Sequence, residues 1–571
     1  MANNKNGAAT GGQVARYVGN QLTGRRDFPD GFVEGAYAQD GRGLCNWDSF
    51  VANMPGLSLS LSHIIYMVFY IYIYIYIYIY RHIELLLKLM IPAKITDGTN
   101  GSFSIDHYNR FKDDVKMMKK LGIDAYRFSI GWSRILPGGK LSGGVNRDGV
   151  KFYNDLIDLL LSEGIEPYVT LFHFDVPLSL EQDYGGFLSE QIIPDFVDYA
   201  SVCFFEFGDR VKYWFTINES WTFAHHGYVS GGFPPGHGST TTSVSQLSSS
   251  SLTRHRCPVG VDLTCHAGDP TTEPYIVGHN LILAHAAAVD VYRRLYQAVQ
   301  GGKISIVNMS SWFEPHDPAN PEDVAAAARA VDFMWGWFVA PIVTGDYPPT
   351  MREYVGDRLP TFSGEQKRLV QGSYDFIGMN YYTTYYATND PDTTEPPGYA
   401  ADQQVKFLYD RDGVPIGPQA GSSWLYIVPY GIRNLLTHTK TVYNDPIIYI
   451  TENGVDEKNE RKTLQDALKD DYRIQAHLDH FAQMKLAIDV DGVKLKGYFL
   501  WSLFDNYEWA EGYTVRFGMV YVDYVNGFTR YPKNSAIWYM NFLNKNLPVP
   551  KREVEEVEEV SSVKRKRSAK A

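Results

Sequence analysis

Cysteine is scarce in this chain: there are four in 571 residues, Cys45, Cys203, Cys257 and Cys265. That is too few for the disulfide framework that holds small secreted domains together. Basic charge is not in excess either. With 53 Lys and Arg against 65 Asp and Glu the formal net charge is −12, so the body of the protein exerts no pull on a phosphate backbone. The stretch from Met1 to Pro29 is polar and lacks the apolar core of a secretory leader, so no leader is expected. Ser568 to Ala571 is not an ER-retention tetrapeptide. No phosphate-cradling glycine loop is present. His225-His226, His279 and His285 have no carboxylate or thiol companions at ligand spacing, so neither metal nor cofactor is expected. A content of 44% hydrophobic and 21% charged residues excludes a disordered chain.

Long uncharged runs are absent with one exception. Leu57 to Tyr80 carries no Asp, Glu, Lys or Arg and contains Leu-Ser-Leu-Ser-Leu-Ser at 57–62 and five Ile-Tyr repeats at 71–80. Its length fits a membrane-spanning helix, whereas the strict alternation of β-branched and aromatic residues is a strand period. The genetic code supplies a third reading. A TA repeat read in triplets alternates TAT and ATA, which encode Tyr and Ile; a CT repeat alternates CTC and TCT, which encode Leu and Ser. Two dinucleotide repeats side by side read as translated intron, and residues 57–93 are taken as an anomalous hydrophobic insertion. A membrane tether through 57–80 and a genuine unusual structure are the alternatives.

Elsewhere apolar strand-like runs alternate with helical periods. The runs are Asp124–Ile130, Pro167–Phe174, Val211–Asn218, Lys303–Met309, Asp375–Thr383, Pro446–Thr451 and Leu495–Leu503. Helical stretches include His107–Leu121 and Val150–Glu163, the latter closed by Gly164. Strand–helix alternation predicts parallel β/α units. Seven strands are evident where a closed barrel of this kind has eight. Two of the runs lead into carboxylates: Thr216-Ile217-Asn218-Glu219 and Ile450-Thr451-Glu452-Asn453-Gly454. Either glutamate alone would read as a helix N-terminal residue favoured by the dipole. Two of them at strand C-termini suit glycoside cleavage, in which one carboxyl protonates the leaving oxygen and the other attacks the anomeric carbon or activates water.

These motifs, with Leu-Phe-His-Phe-Asp at 171–175, Asn-Tyr-Tyr at 380–382 and Trp-Ser-Leu-Phe-Asp-Asn-Tyr-Glu-Trp at 501–509, resemble the signature set of plant family 1 glycoside hydrolases, the β-glucosidases. The resemblance runs from about Lys94 to about Leu547, with a fragment at Phe28–Phe50. It implies a (β/α)8 TIM barrel and a retaining, two-step hydrolysis of a small-molecule glucoside without a cofactor. It also implies that Glu219 is the acid/base and Glu452 the nucleophile, with Arg127 and Tyr382 beside the nucleophile. By the same resemblance His173, Asn218, Asn380, Trp501, Glu508 and Trp509 form the glucose-binding set, and Trp424 and Phe517 line the aglycone site. Cys257 and Cys265 resemble a family disulfide loop, free thiols being the other reading. Homo-oligomers occur in the family.

The chain is expected to comprise a polar N-terminal extension at 1–27, one barrel domain at 28–547 interrupted by 57–93, and a charged tail at 548–571. In that tail Lys551-Arg552 and Lys564-Arg565-Lys566-Arg567 have bipartite nuclear-import spacing, implying an import receptor as partner and a nuclear or nucleocytoplasmic location; a solvated charged terminus is the plainer reading. Basic-ended tails on this barrel resemble the alkaloid-glucoside hydrolases, the strictosidine and raucaffricine β-glucosidase group. Three departures from the family pattern stand out. Phe32-Val33 runs straight into Glu34-Gly35-Ala36-Tyr37, without the stretch that forms the first barrel strand and ends in a sugar-binding Gln. Ser220 replaces a Pro, and Phe174 replaces a frequent Trp. The shortening makes a catalytically impaired or misfolding product the competing expectation.

Overall fold

The computed structural model describes residues 42, 45–48, 95–102, 104–238, 268–391, 397–460 and 463–544. The 1–27 extension, the shortened stretch at Phe32-Val33, the 57–93 insertion, Cys257, Cys265 and the 548–571 tail lie outside these described residues.

All seven apolar runs become strands of one sheet: β1 (Ala125–Ser129), β2 (Glu166–Phe172), β3 (Tyr213–Asn218), β4 (Lys303–Met309), β5 (Ile377–Asn380), β6 (Ile448–Asn453) and β7 (Leu495–Leu500). They stand side by side in chain order, every pair parallel. Parallel neighbours need a crossover, and the helical periods supply it. Helix α1 (His107–Lys120) precedes β1 and helix α2 (Arg147–Ser162) joins β1 to β2. Helix α2 starts earlier than its apolar period suggests, because Asn146 caps it: the Asn146 side chain accepts the Asp148 N–H at 3.2 Å.

The sheet curls into a barrel. Each strand, or the residue leading into it, contributes one side chain to an enclosed cluster: Ala125, Tyr168, Phe215, Val307, Phe376, Tyr449 and Phe499. Tyr168 of β2 and Phe499 of β7 come from opposite sides of the strand order, yet their ring centroids are 4.8 Å apart. This is the packed interior layer that a barrel of β/α units requires. Each buried aromatic contributes roughly 1.5–3 kcal/mol of hydrophobic stabilisation. Among the described residues no eighth strand bridges β7 and β1.

Two strand boundaries differ from expectation. The Asp375–Thr383 run yields only Ile377–Asn380. Its first residue lies just outside the strand, where the Asp375 carboxylate accepts from Ile304 N at 2.9 Å and Arg293 Nη2 at 2.8 Å. Tyr381 then turns away, its hydroxyl donating to Val428 O at 2.6 Å. Conversely β6 continues to Asn453, so Glu452 lies within the strand, at a register shift against both neighbours. Such a bulge re-aims a side chain that regular alternation would send elsewhere.

Behind the strand ends, a buried ion cluster ties together segments distant in sequence. The Asp505 carboxylate accepts from Arg516 Nη1 at 2.5 Å, Lys533 Nζ at 3.0 Å, Gly518 N at 3.1 Å and Val522 N at 3.2 Å. Burial pushes this carboxyl up, but Lys533 and Arg516 outweigh it and hold Asp505 below the usual carboxylate range. Asp505→Ala leaves Arg516 without its carboxylate and Lys533 with Glu457 in place of two counter-charges, and is expected to cost about 3–5 kcal/mol in denaturant unfolding. In the parent chain the Asp505 contribution is present above the unfolded carboxylate pKa and lost as the pH falls below it. An Asp505→Ala chain as stable as the parent would contradict the assignment.

Candidate active site

The strand ends bring the two sequence-marked carboxylates to one end of the barrel. Glu219 follows β3 and precedes helix α3 (Ser220–Tyr228), with φ at +44°. A non-glycine residue in the left-handed region carries of order 1–3 kcal/mol of strain, so its surroundings must hold it. They do so from two sides. The Glu219 N–H donates to Val307 O at 2.8 Å. Its Oε1 accepts from Asn380 Nδ2 at 2.7 Å and its Oε2 from Thr222 Oγ1 at 2.7 Å. Glu452 is buried on the bulge of β6. Its Oε1 accepts from Arg127 Nη1 at 2.7 Å and its Oε2 from the Tyr382 hydroxyl at 2.8 Å.

Arg127 is the centre of this arrangement. It is only 1% exposed. Its second terminal nitrogen donates to Asn218 Oδ1 at 2.6 Å, and its guanidinium lies 5.4 Å above the Phe215 ring of the barrel layer. Asn218 in turn donates through Nδ2 to His173 Nε2 at 3.1 Å. Burial, followed by the nearby Arg127 charge, keeps the His173 ring well below its ordinary pKa, so it is neutral and able to accept. Asn380 is fixed by Thr451, whose hydroxyl donates to its Oδ1 at 2.6 Å.

The environments of the two glutamates are opposed. Burial first, then the charge of Glu452, raises Glu219 to about 7, against the hydrogen bonds from Asn380 and Thr222. Glu452 has a cation at hydrogen-bond distance. One carboxyl thus keeps a proton near neutrality while the other faces a positive charge, the division of labour that acid–nucleophile chemistry uses. A third carboxyl, Glu508, is raised to about 8 by burial, opposed by the amide of Asn506, which donates to its Oε2 at 3.0 Å.

The remaining sequence-marked residues converge on the same region. His173 lies 6.2 Å from the Trp501 ring and 5.6 Å from Trp509, nearly parallel to the latter. Trp424 and Phe517 both stand edge-on to Tyr382 at 6.0 Å. Ser220 is buried as the first residue of α3, and Phe174, at φ +71°, packs 5.0 Å from Trp509. The doubtful histidines have other work: His225 stacks on Trp221 at 4.5 Å, His279 bonds the Tyr347 hydroxyl at 2.9 Å and His285 bonds Thr216 at 2.7 Å. Among the described residues no group of three or more His, Cys, Asp or Glu is placed to hold a metal ion.

Sequence reasoning missed the roles of Thr222, Thr451, Trp47, His226 and Phe233. Thr222 had a usable signal: three residues beyond Glu219 on a helix, it faces back toward that carboxyl. Thr451 stood beside Glu452 in the Ile-Thr-Glu-Asn-Gly motif. Trp47, His226 and Phe233 had no such signal. Phe233 lies 5.0 Å from Trp47 and 5.0 Å from His226, and Trp47 lies 5.1 Å from Trp509, a contact between residues far apart in the chain.

The family model described as glycosyl hydrolase family 1 matches residues 88–547. The chain is 50% identical to the oleuropein β-glucosidase of Olea europaea, over 95% of this chain and 93% of the relative. It is 48% identical to the raucaffricine-O-β-D-glucosidase of Rauvolfia serpentina, over 94% and 95%. Among solved structures, a rice β-glucosidase mutant in a covalent complex with Glc superimposes with a TM-score of 0.79 at 41% identity, covering 91% of this chain and 99% of that one. A β-glucosidase of the fungus Humicola insolens, in complex with glucose, gives 0.77 at 37% identity, over 91% and 97%.

Glu452→Gln removes the negative charge that helps to raise Glu219, and it leaves the Arg127 charge uncompensated nearby. The Glu219 pKa is therefore expected to fall from about 7, remaining above the free carboxyl value because burial persists. Infrared difference titration of the carboxyl stretch measures this; an unchanged or higher pKa would show that the two groups are not coupled.

Proposed function

The chain belongs to glycosyl hydrolase family 1 and is by that membership an O-glycosyl hydrolase of the β-glucosidase type; on this premise we propose that Glu219 and Glu452 carry a retaining hydrolysis. The observation that supports it is their opposed environments, one carboxyl raised by burial and the other bonded to Arg127 and Tyr382. Glu452 attacks the anomeric carbon as the bond from that carbon to the aglycone oxygen breaks. Glu219 donates its proton to the departing oxygen. Water then attacks the glycosyl ester, Glu219 takes its proton, and glucose leaves with Glu452 restored as carboxylate. Arg127 and Tyr382 hold the nucleophile in position throughout.

His173, Asn218, Asn380 and Glu508 present directional hydrogen-bonding groups to the sugar hydroxyls, and Trp501 and Trp509 offer flat faces to its C–H side. Trp424 and Phe517 beside Tyr382, and Phe233 and Trp47 beside Trp509, offer aromatic faces that suit a bulky, ring-containing aglycone. The substrate is accordingly a plant specialised-metabolite glucoside, an alkaloid glucoside of the strictosidine or raucaffricine kind first. Relatives named for oleuropein and raucaffricine support that class. The paired basic clusters at 551–567, outside the described residues, direct the chain to the nucleus.

Purified full-length protein is expected to hydrolyse p-nitrophenyl β-glucoside and to prefer raucaffricine or strictosidine. The kcat/KM should decline as the pH rises through about 7, where Glu219 loses its proton. Glu452→Gln should reduce turnover on the order of 10⁴-fold. A soluble, folded parent chain without glucosidase activity would instead support the impaired reading that the shortened Phe32-Val33 stretch suggests. For the tail, a fluorescent fusion should concentrate in nuclei and become cytosolic when Lys564 to Arg567 are changed to Ala; an intact-tail fusion that stays cytosolic would overturn the location.

A further inference from the structure

The turn that carries Glu508 and Trp509 is closed on itself. Glu508 N donates to Gly512 O at 2.8 Å, Glu511 N to Glu508 O at 2.9 Å and Gly512 N to Trp509 O at 3.1 Å. Trp509 sits in the left-handed region at φ +49°, so the turn needs support from outside to keep one geometry.

That support comes from residues 95–101, which cross the turn as a strap. Ile95 is fully buried and anchors the strap, and Thr96 N donates to Ala510 O at 2.8 Å. The exposed Asp97 reaches across: its Oδ2 accepts from Tyr513 N at 2.8 Å, while its Oδ1 accepts from Thr99 N at 3.0 Å. Gly512 is at φ +61°, and a Cβ there would lie 2.3 Å from Asp97 Oδ1. Only glycine admits both that backbone and that approach. Gly101 lies against the Tyr507 ring, where a Cβ would be 3.2 Å away, and the Tyr513 hydroxyl reaches Asn100 O at 3.4 Å. The strap therefore touches the turn at residues 507, 510, 512 and 513, on both sides of the sugar-facing pair.

We propose that Asp97 is a positioning residue of the sugar subsite: by fixing Gly512 and Tyr513 it sets the direction of the Glu508 carboxyl and the Trp509 indole. This rests on the reading of Glu508 and Trp509 as glucose-binding. Asp97 does not touch the sugar itself. Its effect falls on glucose affinity and KM, while the step at Glu219 and Glu452 is largely spared.

The test is calorimetric titration of glucose into full-length parent, Asp97→Ala, Asp97→Asn and Glu508→Gln chains, with KM, kcat and thermal midpoints measured alongside. Asp97→Ala should weaken glucose binding and raise KM about 5–10-fold, the size of one lost hydrogen bond, with kcat within about twofold. Because the contact is exposed, its midpoint should shift by only about 2–4 °C. Asp97→Asn keeps an oxygen to accept the Tyr513 N–H and should stay within about threefold of the parent. If Asp97→Ala leaves glucose affinity intact while Glu508→Gln weakens it, the strap is merely structural and the proposal fails. If Glu508→Gln also leaves affinity intact, the sugar-site reading fails, and the proposal with it.

Discussion

The buried pair between Arg127 and Glu452 is the interaction on which the site depends. Neither charge could be held away from water alone, because an isolated ion in a protein interior costs several kcal/mol. Together, with Asn218 and Tyr382 completing their hydrogen bonds, they are accommodated. The guanidinium rests above Phe215, so the aromatic filling of the barrel sets its height. Packing, charge and chemistry thus share one residue. A change in the interior layer would reach Glu452 through Arg127, without any contact between the two.

Two departures from regular backbone make the arrangement work. The bulge on β6 turns Glu452 toward Arg127, and the left-handed Glu219 breaks β3 so that helix α3 can begin at once. Each is held by polar groups from other strands: Val307 of β4 and Asn380 of β5 hold Glu219, and Arg127 of β1 holds Glu452. The raised pKa of Glu219 comes from its burial and from the Glu452 charge, and the Asn380 hydrogen bond that fixes its geometry works against that rise.

The barrel was legible because its strands are predominantly apolar runs separated by helical periods, and both signals survive in a single sequence. The carboxylates were legible because they stand where those runs lead. Arg127, Tyr382 and the set proposed to bind the sugar came from the family resemblance; nothing in local periodicity singles them out. The Asp505 cluster was not legible. Arg516 and Lys533 are charged residues at no helical or strand spacing from Asp505, and charged residues read as surface until a fold buries them. The meeting of Trp47 with Trp509 and Phe233 likewise exists only after the chain has closed. The short span of β5 was hidden because Asp375 before it and Tyr381 after it are held by partners from distant segments.

The aromatic layer of Tyr168, Phe215, Phe376, Tyr449 and Phe499 is a floor as well as a core. Arg127 rests on it through the Phe215 ring and donates a hydrogen bond to Glu452. The buried charges are thus levelled by side chains whose own task is to fill space.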